Sequence, residues 1–325
     1  MDVLVFAGTG DVLEANPDVG SVIEITERPT VAQHVALLTR IRRRYDLALS
    51  LAPGDRPSLY AWIAGRQRVG LLLGGRKHRW KRALMTGWAP FDNLNTHTVL
   101  MHLALADLLG IDRAYEVIVN WKSEHAAQVD ALLECADSPL AVLHTFPKFN
   151  YKMWRTEGWI EAARWLTARG YRIALTGGNE QSELAYIAEV TRLMPRNVVN
   201  LAGRLSLCAA ANLVSRARVY VGLDTAMTHI AAALGVPTVA LYGPSNPVKW
   251  GPWPRGHASD ANPWRRCGSQ RVGNVTLLQG TQGCVPCMVE GCERHIASFS
   301  DCLQQMPAAR VIVAIENALA DAPLI

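Results

Sequence analysis

The sequence predicts an α/β protein built on doubly wound parallel sheets, and three observations predict it. Short apolar runs rich in Val, Ile and Leu alternate with helix-length segments, which is how buried parallel strands joined by crossover helices read. In the second half, polar or glycine-rich residues follow the strands, at Lys148–Lys152, Gly177–Glu180, Gly203, Asp224–Thr225 and Gly243–Ser245. Those positions fall at the carboxyl edge of the sheet, where such folds take ligands beside helix N-termini. The chain has 325 residues, more than one typical core holds, so two domains are expected.

Candidate strands are Asp2–Ala7, Leu47–Leu51, Val69–Leu72, Ala141–Thr145, Arg172–Thr176, Val219–Leu223, Thr238–Tyr242 and Val275–Leu278. Candidate helices are Val31–Arg44, Thr98–Leu109, Glu124–Glu134, Glu157–Arg169, Gln181–Leu193, Ser206–Ser215, Ala226–Leu234 and Ala308–Ala320. The pattern breaks at Ala136–Pro139. This gives an N-terminal domain at 1–137, a second domain at 138–305, and a C-terminal helical segment at 306–325 that packs back on the N-terminal domain.

Half the residues are hydrophobic and 19% are charged, which excludes a disordered chain. No apolar run reaches the roughly 18 residues of a transmembrane helix, and the first residues lack a signal-peptide pattern, so a cytoplasmic protein is expected. Seven cysteines in a chain this long do not make a secreted disulfide scaffold. Net charge is +5, but it is concentrated: Arg40 to Arg82 holds twelve Lys and Arg against Asp46 and Asp55, a local +10. Either an anionic partner or a solvated helix face and loop accounts for it. No nucleic-acid motif accompanies the charge, and no nucleic acid is expected as partner.

Chemistry converges on Gly222–His229, GLDTAMTH. A strand ends at Asp224 and a helix starts at once, so Thr225 and Ala226 offer free backbone N–H groups at a positive dipole end. His229 lies four residues after Thr225 on the same helix face. Asp224 serves as an N-cap or as an acceptor for sugar hydroxyls. A dinucleotide-dependent oxidoreductase is disfavoured, because no G-x-G-x-x-G follows a strand.

The run GLDTAMTHIAAALGVPTVALYGPSNPVKWGPW resembles the signature of glycosyltransferase family 9, the bacterial ADP-heptose:lipopolysaccharide heptosyltransferases. LHTFPKFNYKMWRTEGWIEAARWL, IALTGGNEQSELAYIAEV and NLAGRLSLCAAANLVSRARVYVG resemble three further segments of that family. The resemblance covers about residues 140 to 305, with a fainter echo before them. It implies a GT-B fold, two Rossmann-like parallel-sheet domains facing a cleft, and an inverting transfer with no required cofactor or catalytic metal. It implies a nucleotide-sugar donor of the ADP-heptose kind and a lipopolysaccharide or lipid-linked glycan acceptor. The enzyme would work peripherally at the anionic inner face of the inner membrane. Carried onto this sequence, Lys152 binds the diphosphate, and Asp224, Thr225, Ala226 and His229 contact diphosphate and sugar. Glu180 or Glu183 binds the ribose, and Leu205 packs on the base.

An inverting transferase needs a base for the acceptor hydroxyl. In the family it is an Asp in a Gly-Asp-x-[Leu/Val/Ile] loop, and Gly10-Asp11-Val12-Leu13 places Asp11 there. Yet Asn16–Ile25 comes next without room for the expected long helix, and resembles the stretch after the family's second strand. On that alignment MDVLVFAG is the second strand, and the N-terminal domain lacks its first strand, catalytic loop and first helix. The alternative function is then a nucleotide-sugar-binding homologue without its base. Finally, Cys284, Cys287, Cys292 and Cys302, with His295 among them, supply enough soft ligands for a structural zinc.

Overall fold

The computed structural model describes residues 1–133 and 138–320. Its first elements are β1 (Asp2–Phe6), α1 (Asp11–Glu14), β2 (Ser21–Ile25), α2 (Val31–Ile41), β3 (Tyr45–Ser50), α3 (Asp55–Ala64), β4 (Gly65–Leu72), α4 (Arg79–Leu84), β5 (Gly87–Pro90) and α5 (Thr98–Leu109). β1 and β2 pair in parallel, and β3, β4 and β5 form a separate three-stranded parallel sheet. Thr30 and Gln33 make a reciprocal capping box that starts α2, which satisfies two donors that would otherwise be orphaned. α3 is absent from the sequence expectation because Pro57 reads as a breaker. In the first turn, however, its missing N–H has no partner to lose. β2 and β5 are likewise additions, short strands whose patterns give little signal.

The second series is α6 (Ser123–Leu132), β6 (Leu140–His144), α7 (Thr156–Ala168), β7 (Arg172–Thr176), α8 (Gln181–Leu193), β8 (Val198–Asn200), α9 (Leu207–Ser215), β9 (Val219–Leu223), α10 (Ala226–Leu234), β10 (Thr238–Tyr242), α11 (Pro247–Trp250), β11 (Gln270–Val272), β12 (Val275–Gln279), α12 (Asp301–Gln304) and α13 (Ala308–Ala320). These strands form one seven-stranded sheet of order β11-β12-β10-β9-β6-β7-β8, parallel except for the β11–β12 pair.

Two compact units result. The first contains Met1–Gly10, Gly20–Tyr115 and Ala258–Asn262; the second contains Asp11–Val19, Glu116–His257 and Pro263–Ile325. The break expected near Ala136–Pro139 lies partly outside the described residues. In the second unit, alternate strand residues feed two cores, as a sheet covered on both faces requires. Ala141, Leu143, Val221 and Leu223 pack with α7, α8 and α13, while Val142, Ala174 and Tyr220 pack with α9 and α10. α13 buries Val311, Ala314, Ile315 and Ala318 in this unit's core, beside α7. Among the described residues, no helix is long and apolar enough to cross a membrane.

The order of the large sheet reverses between β6 and β9. From β6 the chain proceeds outward to β7 and β8, and then returns to the other side of β6 as β9 and β10. The loops after β6 and β9 therefore leave in opposite directions and open a crevice at the carboxyl edge.

His144, the last residue of β6, is buried there with Nδ1 3.0 Å from the Thr176 hydroxyl. Burial holds its imidazole down to about 4, because a charged ring would lose its hydration. The unfolded chain takes up that proton near the ordinary value of 6.5 and the folded one does not. Stability is thus full above pH 6.5 and falls by up to about 3 kcal/mol as pH drops toward 4. Urea unfolding across this window is expected to show that slope, and His144→Gln to flatten it. An unchanged slope in the variant would remove His144 as its source.

Candidate functional site

Two loops meet at the sheet reversal. After β6 the chain runs through Pro147 and Lys148 into a 3-10 turn at Asn150–Lys152. After β9, Asp224 precedes Thr225, the N-cap of α10. The Lys152 ammonium lies 2.7 Å from Asp224 Oδ2 and donates to the Asp224 carbonyl at 3.5 Å. The same Oδ2 accepts from the Ser245 hydroxyl at 2.6 Å; the Tyr242 hydroxyl stands 3.3 Å from Oδ1 but lies nearer the Trp250 carbonyl, at 2.7 Å, which takes its one proton. Asp224 is 9% exposed, so its charge depends on these donors, as a buried carboxylate must. Burial, and then the nearness of Asp224, push the Tyr242 phenol well above its ordinary value, so the hydroxyl keeps its proton.

Thr225 caps α10 through its backbone alone, and its side chain accepts no N–H of the first turn. The leading N–H groups of a helix have no intrahelical acceptor. Here they join a lysine at a positive dipole end, the arrangement that binds a phosphate. Ala226 adds only a methyl group, so the backbone stays accessible. His229 Nε2 stands 3.9 Å from Asp224 Oδ1, and the side chain is half-exposed. Burial lowers its pKa most; the Asp224 carboxylate opposes that and the Lys152 ammonium adds to it. The ring is therefore neutral at pH 7 and able to donate one hydrogen bond.

The structure thus brings Lys152, Asp224, Thr225, Ala226 and His229 to one place. Two more residues belong there that sequence reasoning gave no role. Ser245 follows β10 within the Gly243–Ser245 turn, at the edge already expected to be functional. Tyr242 reads as an ordinary core tyrosine, and only its hydroxyl contact reveals it. Glu180 and Glu183 lie at the start of α8. Glu180 is the exposed N-cap, while the Glu183 carboxyl is turned back onto the Gly178 amide, with burial raising its pKa and that amide lowering it. Leu205 is half-buried against the core that holds α9.

Asp11 opens α1, within the second unit. Its Oδ2 accepts from the Cys208 amide at 3.0 Å, at the start of α9. Asp11, His125 and Cys208 place metal-type ligand atoms within 4.8 Å of one another. Each already spends an atom on hydrogen bonding, however. The Cys208 thiol donates to the Asp11 carbonyl at 3.2 Å, with the Asn120 carbonyl also near at 3.5 Å, and His125 Nδ1 accepts from the Lys122 amide. Burial, with Asp11 and Glu14 nearby, pushes the Cys208 thiol up to about 11. The residues also sit in the first turns of α1, α6 and α9, whose positive ends disfavour a cation. We read this group as a capped helix junction.

In the first unit, the basic stretch is not uniformly a surface. Lys81 is 2% exposed and is held by Asp55 at 2.6 Å and by the Pro53 carbonyl at 2.7 Å. Arg82 stacks on Trp88. Arg79 and the largely exposed Trp62 and Trp80 remain toward solvent.

A profile of glycosyltransferase family 9 (heptosyltransferase) matches residues 34–265. Lipopolysaccharide heptosyltransferase 3 of Escherichia coli (strain K12) is 26% identical over 268 residues, covering 78% of this chain and 76% of that protein. The solved glycosyltransferase family 9 structure from Veillonella parvula DSM 2008 superimposes with a TM-score of 0.78 at 20% identity, covering 98% of this chain and 88% of that one. Escherichia coli heptosyltransferase WaaC with ADP gives 0.71 at 18% identity, covering 98% and 89%. These likenesses show the fold, which is GT-B.

Gly222, two residues before Asp224, is required by packing. A Cβ there would lie 2.4 Å from the Tyr220 hydroxyl, and that ring is fully buried and paired with Thr228 of α10 at 3.1 Å. Gly222→Ala is expected to cost about 1–3 kcal/mol in urea unfolding, the usual range for overpacking. Wild-type stability in that variant would mean Tyr220 is free to move.

Proposed function

The chain belongs to glycosyltransferase family 9 and is a glycosyltransferase, and from that premise we propose that it moves a heptose or related sugar from an ADP-heptose-like donor to a lipopolysaccharide core-type acceptor, with inversion and without a catalytic metal. The single observation that carries the donor assignment is the Lys152–Asp224 pair set against the uncapped first turn of α10. Lys152 and the α10 amides would receive the diphosphate, and their positive charge would stabilise it as it leaves, which is the service a divalent ion gives in other transferases. Ser245 holds Asp224 when Lys152 turns toward phosphate, leaving its carboxylate to accept from sugar hydroxyls. Neutral His229 donates to the donor's phosphate or sugar. Glu180, exposed at the N-cap of α8, or Glu183 would take the ribose, and Leu205 the base.

Domain roles come from the same reading. The second unit holds the donor and the first unit the acceptor. The exposed arginines and tryptophans of the first unit suit a phosphorylated glycan and the anionic face of the inner membrane, where the enzyme would work from the cytoplasm.

One observation favours a second reading. Asp11, the sequence candidate for the base, has an oxygen committed to the Cys208 amide. A chain that binds donor but lacks a competent base would be a nucleotide-sugar-binding homologue. Two measurements separate the readings. Thermal shift with ADP, GDP, UDP and ADP-heptose is expected to raise the melting temperature for ADP and ADP-heptose, by about 2.7 kcal/mol of stabilisation at a hundredfold excess over Kd. Lys152→Ala and Asp224→Ala are expected to abolish the shift, and His229→Ala to reduce it. No shift with any nucleoside diphosphate would refute the donor site. Where binding is seen, Asp11→Asn is expected to cut transfer about a hundredfold or more without weakening ADP binding if Asp11 is the base. Binding with no transfer by the wild type would select the second reading.

A further inference from the structure

The basic stretch of the first unit is carried by three neighbouring helices, α2, α3 and α4, and by the turns that join them. α3 is tied to α2 along its length. The Arg56 guanidinium donates to the Glu27 carbonyl in the loop before α2, His34 Nε2 stands 2.9 Å from the Tyr60 hydroxyl, and the Arg43 amide donates to the Ile63 carbonyl at 2.8 Å. On the other flank, Lys81 of α4 holds Asp55, the first residue of α3. Beneath them Leu37, Ile41 and Ala64 share one buried cluster, and Ala61 and Met85, the residue after α4, share another. The inward faces of the three helices are therefore covered.

Their outward faces are not an ordinary solvated surface. On α3, Leu59 and Trp62 are a turn apart and face away from the buried Ser58, Ala61 and Ala64. On α2, Val31 and Val35 are likewise a turn apart and exposed, although Leu37 and Ile41 already serve that helix's core. On α4 the Trp80 ring lies 5.8 Å from the Lys81 ammonium, which sets it beside the start of α3. Trp62 and Trp80 are 47% and 43% exposed, large values for the most costly side chain to leave in water. Single apolar residues on a surface need no explanation, but a run of them across packed helices marks a face that meets something less polar than water.

Cations frame this face at both ends. The exposed turn Arg42–Arg44 is held against the C-terminal end of α3 by the Arg43 amide, and Arg43 takes a left-handed backbone angle there. Arg66 follows two residues after α3, and Arg76, Lys77 and Arg79 precede Trp80, all of them exposed. The two acids of the stretch, Asp46 and Asp55, are already paired with Arg66 and Lys81. An apolar, tryptophan-bearing centre inside a cationic rim is complementary to a bilayer with anionic head groups. Indole rings settle at the headgroup level, and arginines meet the phosphates. A phosphorylated glycan or a nucleic acid would engage the cations but leave Val31, Val35 and Leu59 in water. We propose that the outward faces of α2, α3 and α4 dock the first unit on an anionic phospholipid surface, with Trp62 and Trp80 in the headgroup layer and Arg42, Arg44, Arg66 and Arg79 on its phosphates. This rests on the reading that the acceptor is lipid-linked, and it names the surface by which the first unit reaches it.

The test is flotation of the full chain with vesicles of phosphatidylethanolamine and phosphatidylglycerol, against vesicles of phosphatidylcholine alone. Binding is expected to the anionic vesicles only, and to weaken about tenfold or more when salt rises from about 0.1 M to about 0.5 M. Leu59→Ser combined with Trp62→Ser, and Arg42→Gln combined with Arg44→Gln, are each expected to lower it about tenfold while melting with the wild type, since all four positions are exposed. Arg164→Gln combined with Arg192→Gln removes the same charge from exposed positions on α7 and α8 and is expected to leave binding unchanged. The ADP thermal shift keeps this apart from the donor assignment: a shift without vesicle binding sinks the docking face alone, and vesicle binding without a shift sinks the donor site alone. Equal loss in the control pair, or unchanged binding in both face variants, also overturns the proposal. So does binding only once lipopolysaccharide is added to the vesicles, which would make the face an acceptor site, or a dimer in sedimentation that the Leu59/Trp62 variant dissolves.

Discussion

The reversal of strand order between β6 and β9 is the constraint on which the remaining structure depends. Parallel strands require crossovers, and crossovers of one hand place successive helices on one face until the chain switches sides. Here the switch makes neighbours of two loops separated by 72 residues, so Lys152 and Asp224 meet. Neither loop could form the site alone. The lysine would be a surface charge beside Tyr151, and the aspartate a buried carboxylate with one short hydroxyl bond, from Ser245.

That meeting has an energetic side. Burying an ion pair stabilises a fold little, because desolvation offsets the attraction, but removing one partner is severe. Asp224 therefore acts less as a source of stability than as a demand that shapes its surroundings. Ser245 from the turn after β10 and Lys152 from beyond β6 are both placed to answer it. Beneath them Tyr220 fills the space that Gly222 leaves and bonds Thr228, which in turn bonds the Leu223 carbonyl. The first turn of α10 is thus anchored from below and left open above, a geometry suited to an incoming anion.

Most of the second unit was legible in the sequence because its central strands are largely apolar and its helices amphipathic; β11, Gln270–Val272, is polar and was not expected. Val219–Leu223, Thr238–Tyr242 and Ala226–Leu234 coincide with the expected segments, and α13 begins and ends where its pattern does. The first unit was harder. β3 leaves Asp46, Leu47 and Leu49 exposed, so its pattern matches no single buried face, while Glu24 interrupts the apolar run of β2 and Pro90 ends β5. At the site, charge and hydroxyl types were readable, but partner choice was not. Periodicity reports which way a residue faces, and Tyr242 faces a core. Only the sheet order reveals that the end of this core strand lies beside Asp224.

The surroundings of Cys208 show how far residue type alone carries an assignment. Cys208 sits with an aspartate and a histidine, a ligand set that any inventory would favour. Yet its thiol proton is directed at the Asp11 carbonyl, one carboxylate oxygen accepts from the Cys208 amide, and three helix N-termini contribute positive potential. A cation arriving there would have to break each bond against that field. The direction of the hydrogen bonds, more than the count of ligands, identifies a capped helix junction.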